Sequence, residues 1–78
     1  MQVEMNGQIY AIELIKHSRL GGKQYPIYKL TGPKAIYYTL PYVNHPGKHF
    51  ILDSKGKCSQ YMRSYTFCVS ETGQVSVI

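Results

Sequence analysis

MQVEMNGQIYAIELI, residues Met1 to Ile15, is the stretch whose reading decides the fold. Asn6-Gly7 suits a two-residue type I′ turn, in which both central residues take positive φ. Such a turn sets Met5 opposite Gln8 and Val3 opposite Tyr10. Cross-strand partners share a face, so Met1, Val3, Met5, Tyr10, Ile12 and Leu14 gather on one side of a hairpin. The other side receives Gln2, Glu4, Ala11 and Glu13, with Ile9 and Ile15 as its only large apolar members. A helix over Gln8 to Lys16 would scatter the same apolar residues all round its cylinder, so alternation wins and the segment is a strand.

Working outward, His17 to Lys23 reads as a polar, glycine-rich loop, and Gln24 to Thr31 as the next strand. Tyr28 and Leu30 fall on one face of that strand, with Tyr25 and Ile27 on the other. Pro26 offers no backbone donor and belongs near a strand start or an edge. Gly32-Pro33 marks a turn. Ala35 to Val43 alternates strongly, with Ile36, Tyr38, Leu40 and Tyr42 on one side and Tyr37 and Thr39 on the other. Asn44-His45-Pro46-Gly47 is a turn cluster, His49 to Asp53 a short strand, and Asp53-Ser54-Lys55-Gly56 a type I turn with Gly56 at its left-handed position. Lys57 to Ser70 is long for one flat strand, and its alternation changes parity, which predicts a bulge or bend near Arg63-Ser64. Thr72-Gly73 turns the chain into a last strand, Gln74 to Ile78.

Short strands joined by tight turns predict a single all-β domain over residues 1–78. Its expected form is an antiparallel meander closing into a six- to seven-stranded barrel or half-barrel, of SH3-like or OB-like size. The chain has 78 residues, too few for a second core. At 44% hydrophobic residues it is too apolar for an ordinary disordered tail. No stretch is long and apolar enough to span a bilayer as a helix, and the N-terminus does not read as a secretion signal. Two cysteines, Cys58 and Cys68, are too few for a disulfide-rich secreted framework. A cytoplasmic protein with no membrane partner is the expectation.

Nine Lys and Arg residues against four acids give a formal charge of +5, which attracts nucleic acid or an acidic protein surface. The four acids are Glu4, Glu13, Asp53 and Glu71, and no spacing among them pairs two carboxylates for acid–base work. Neither a Ser-His-Asp nor a Cys-His arrangement stands out, so no catalytic residue is assigned and an enzyme is not expected. His45 and His49 have ligand-like spacing, and Cys58 and Cys68 could complete four ligands. The cysteines lack the close pairing of structural zinc sites, however, so no metal and no cofactor is assigned. His17, Arg19 and Lys23 could bind an anion or be a solvated loop.

Glycine and lysine recur together in the turns: Gly22-Lys23, Gly32-Pro33-Lys34, Gly47-Lys48 and Gly56-Lys57. Glycine lets a phosphate approach the backbone, and lysine supplies the charge. In a meander, alternate turns lie at opposite ends, so these lysines should divide between two poles. Tyr37, Tyr61 and Arg63 are a candidate exposed strip, because tyrosine and arginine both stack on bases and anchor protein interfaces. The expected function is therefore a binding module contacting nucleic acid through Lys34, Tyr37, Lys48, Lys57, Tyr61 and Arg63. The alternative is a small inhibitor or adaptor docking on an acidic protein surface, with a sheet edge available to form a homodimer.

Overall fold

The computed structural model describes residues 1–57 and 65–78 of the chain. Seven strands form one antiparallel sheet in sequential order: β1 (Gln2–Met5), β2 (Gln8–Leu20), β3 (Lys23–Thr31), β4 (Ile36–Pro41), β5 (Lys48–Asp53), β6 (Phe67–Val69) and β7 (Val75–Val77). The sheet curls until β1 lies against β7, and the result is a nearly closed barrel. Closure of this kind removes exposed strand edges. No helix forms among the described residues, and none is therefore long and apolar enough to cross a membrane.

The first hairpin forms as its turn chemistry dictates. Asn6 and Gly7 both have positive φ, 54° and 75°. The register pairs Met5 with Gln8 and Val3 with Tyr10. Met5 and Tyr10 enter the core with Leu30, Ile51 and Phe67, and Val3 and Ile12 pack against it. Each such side chain stabilises the fold by roughly 1.5–3 kcal/mol relative to leaving it in water.

Two members of the expected inner face do not belong to it. Met1 is largely exposed, and Leu14 is 50% exposed. A β-bulge between Leu14 and Lys16 is the local irregularity: before it Leu14 faces Tyr28, and after it Lys16 faces Ile27. One extra residue reverses the parity of everything beyond. The segment expected as a loop is also strand. β2 continues through His17, Ser18 and Arg19 to Leu20, and only Gly21 and Gly22 form the turn to Lys23. The β2–β3 hairpin consequently extends past both neighbours. β1 reaches only Ala11 of β2 in its ladder, and β4 reaches only Lys29 of β3.

The inner wall of β4 is the side that carries Tyr37 and Thr39. Tyr37, Thr39 and Pro41 lie opposite Asp53, Ile51 and His49, and Thr39 and Pro41 are buried. Ile36 and Leu40 point outward instead. The interior of so small a barrel must hold the rings of Tyr28, His49 and Phe67, which meet at centroid separations of 5.3–5.7 Å. Small residues opposite large ones make that possible. Thr39 has a second reason to face inward: its Oγ1 accepts a hydrogen bond from Tyr28 N at 3.0 Å, beyond the point where the β3–β4 ladder stops.

The remaining turns follow the sequence. Gly56 N donates to Asp53 O, and Asp53 Oδ1 accepts from Lys55 N and Lys57 N, each at 2.9 Å. Gly73 N donates to Ser70 O in the last hairpin. Gly47 has φ 82°, and a Cβ there would lie 2.5 Å from the carbonyl oxygen of Val69. This close approach lets Val69 N donate to Gly47 O at 2.7 Å, fastening the β4–β5 turn to β6. The bend expected near Arg63-Ser64 lies outside the described residues.

Candidate nucleic-acid interface

Turning Tyr37, Thr39 and Pro41 inward leaves an apolar and aromatic stripe on the outside of the barrel. Register places Leu40 opposite Phe50, Tyr38 opposite Leu52 and beside Lys29, and Lys16 opposite Ile27. Leu40 and Phe50 are 40% and 38% exposed, whereas Ile27 is only 6% exposed despite facing away from the barrel interior. Ile27 sits in the floor of a depression of about 270 Å³ lined by Ile15, Lys16, Tyr38, Leu40 and Leu52. Beside it, the rings of Tyr42 and Phe50 are in contact, with centroids 3.7 Å apart, and His45 stands edge-on to Tyr42 at 6.0 Å.

The electrostatics of this face follow from the order of charges along the chain. Between Glu13 and Asp53 the sequence has no acidic residue, while Lys16, Arg19, Lys23, Lys29, Lys34 and Lys48 all fall inside that stretch. Those residues supply the far half of β2 and all of β3 and β4, together with β5 up to Leu52. Lys16, Lys29 and Lys48 share the outer parity with the aromatic stripe. Glu13 is the one acid in register with this face, opposite Lys29. Lys48 is tied to the aromatic end because Tyr42 N donates to Lys48 O at 2.9 Å. Beyond the bulge, the protruding β2–β3 hairpin adds exposed Lys23 on the same side, whereas exposed His17 and Arg19, in register with Pro26 and Gln24, lie on the opposite side of the ribbon.

The residues named from sequence are distributed differently. Lys34 and Lys57 come to one end of the barrel: Lys34 lines a groove with Asp53 and Ser54, and Lys57 N is held by Asp53 Oδ1. Lys48 stands at the opposite end, where it lines a groove with Gly47, Ser70 and Gly73. The turn lysines therefore divide between two poles. Tyr37 is half-buried, packing partly against the core with its ring edge-on to Tyr10 at 5.8 Å, and it lines the same groove as Lys34. Burial, and secondarily the neighbouring Tyr37, raises the pKa of Tyr10 above its ordinary value. Tyr61 and Arg63 lie outside the described residues. Sequence reasoning missed Tyr38, Tyr42 and Phe50 as outer residues. For Tyr38 and Tyr42 the signal was present in the alternation of the β4 segment, both sides of which carry aromatic residues.

His49 turns into the core and is 3% exposed, whereas His45 is exposed in the β4–β5 turn, so the two do not converge. The Nδ1 atom of His49 is buried without a hydrogen-bond partner, and burial lowers the pKa of this imidazole. Among the described residues, no three His, Cys, Asp or Glu side chains come together to hold a metal ion. Cys58 lies outside the described residues, and Cys68 is half-buried on β6.

No protein-family model matches this chain, and neither a curated protein nor a solved structure matches it.

Proposed function

We propose that the protein is a non-enzymatic binding module that contacts nucleic acid through the basic, aromatic outer face of β3, β4 and β5. The observation that carries this reading is the placement of Lys16, Lys29 and Lys48 around Tyr38, Tyr42 and Phe50 in a stretch without acids. Cations neutralise phosphates and release their counterions, while aromatic rings offer stacking surface. Lys34 and Lys57 add to the long-range positive field from the far end of the barrel.

The test is fluorescence anisotropy with a labelled oligonucleotide across a salt series. Three phosphate contacts give a log–log slope of about −2, so raising salt fourfold weakens binding roughly 20-fold. Replacing Lys16, Lys29 and Lys48 together by Gln removes most of that slope. Salt-insensitive binding, or none at low salt, rules the reading out.

A second reading, docking on an acidic protein surface, is favoured by the aliphatic depression at Ile27, Leu40 and Leu52. The unpaired edge of β2 beyond Ile12 would serve a homodimer formed by sheet extension. A purified partner that binds after nuclease treatment and is lost in Leu40→Glu distinguishes this second reading.

A further inference from the structure

Resting on the nucleic-acid reading above, we infer that the ligand is a single strand whose bases stack on the Tyr42–Phe50 pair and seat in the neighbouring depression. The rings of Tyr42 and Phe50 touch each other, and Phe50 and Leu40 remain more than a third exposed next to them. An aromatic pair that is partly exposed on the outside of a sheet is a platform for an unpaired base, since every base has a π-face and stacking tolerates sequence. The depression at Ile15, Ile27, Tyr38 and Leu52 adjoins the platform through Leu40 and offers an apolar floor for a second base.

Charge is placed where the backbone of such a strand would run. Lys48 stands at the Tyr42 end, and Lys16 borders the depression across β3. The path between them crosses β3, β4 and β5 and meets no acid, because Glu13 lies in register with Lys29 rather than with Lys16 or Lys48. Charge complementarity therefore favours a polyanion over a neutral or basic partner. A duplex satisfies only half of these features. Its bases are already stacked, so it would offer phosphates to the lysines and leave the aromatic pair unused. The part of the molecule suited to a duplex is the β2–β3 hairpin, a two-stranded ribbon of the kind a major groove admits, with Arg19 and Lys23 near its tip.

The sequence contains no tryptophan, so Phe50→Trp or Tyr42→Trp places a single indole on the platform of the intact chain. Each variant is titrated with oligo(dT), with oligo(U) and with a mixed-sequence duplex of the same length at low salt. Quenching of the indole by either single strand is expected, with weaker quenching by the duplex. Phe50→Ala should weaken single-strand binding about tenfold and leave duplex binding nearly unchanged. Oligo(dT) against oligo(U) separates DNA from RNA as the source of the strand. Single-strand binding that quenches neither indole, or duplex binding that is equally tight and insensitive to Phe50→Ala, overturns this inference while leaving the nucleic-acid reading in place. Failure of all three ligands to bind overturns both.

Discussion

Lowering the pH from 7.5 to 5.5 should destabilise this barrel through one side chain, His49. Its imidazole is 3% exposed between Tyr28 and Phe67, with ring centroids at 5.7 and 5.6 Å. Nδ1 has no partner, and burial holds the folded-state pKa below the ordinary 6.5. Above pH 6.5 the ring is neutral whether the chain is folded or not, so stability is at its full value. As the pH falls below 6.5 the unfolded chain takes up a proton that the folded core refuses, and stability declines until the lowered folded-state pKa is reached. Within that window the slope is at most about 1.4 kcal/mol per pH unit, the limit for one proton. A domain of this length has a total stability of roughly 4–12 kcal/mol, so one unit removes at most about a tenth to a third of it. Urea unfolding followed by circular dichroism should show the midpoint falling, by no more than roughly 0.5–1.4 M per unit. Carboxyl groups ordinarily titrate near 4, below most of this range. In His49→Phe, which replaces the unpaired polar ring by an apolar one, the dependence should flatten. An equal slope in wild type and His49→Phe would refute the assignment to this residue.

Three further outcomes follow from the packing. Thr39→Val keeps the shape of a buried side chain but strands Tyr28 N, so it should cost about 1–3 kcal/mol, more than Thr39→Ser, which keeps the acceptor. Equal losses for the two variants in urea melts would show that the side-chain bond is dispensable. Gly7→Ala and Gly47→Ala both place a side chain at positive φ, worth about 1–2 kcal/mol, but only at Gly47 does the new Cβ meet backbone, at Val69 O. Thermal melts should therefore rank Gly47→Ala as clearly the more damaging. Leu30→Ala, at a fully buried position, should lose about 2–5 kcal/mol by the same assay, and a loss below 1 would place Leu30 outside the core.

The first hairpin was legible because two independent signals coincide at Asn6-Gly7: a turn that needs positive φ, and an alternation that only one register satisfies. The turns at Gly56 and Gly73 were legible for the same reason. What escaped was set by tertiary context. The bulge at Leu14–Lys16 reverses parity without a proline or glycine to announce it. His17 to Leu20 read as loop because a ribbon that projects beyond the barrel has no core to impose alternation. In β4, the alternation sorted Ile36, Tyr38, Leu40 and Tyr42 from Tyr37 and Thr39 without saying which side faces in, and the narrow interior selected Thr39 and Pro41. The same register half-buries Tyr37, a candidate contact residue, and leaves the outer aromatic surface to Tyr42 and Phe50. The excess of positive charge was plain in the composition. Which cations share a face was not, because that depends on the register of β2 through β5.

The most direct measurement is a nitrogen-15 chemical-shift titration of the labelled protein with a single-stranded oligonucleotide at low salt. Perturbed amides should cluster at Lys16, Ile27, Lys29, Tyr38, Leu40, Tyr42, Lys48 and Phe50, on one outer face. Shifts confined to Lys34, Lys55 and Lys57 at the far end, or no shifts at all, would contradict the proposed interface.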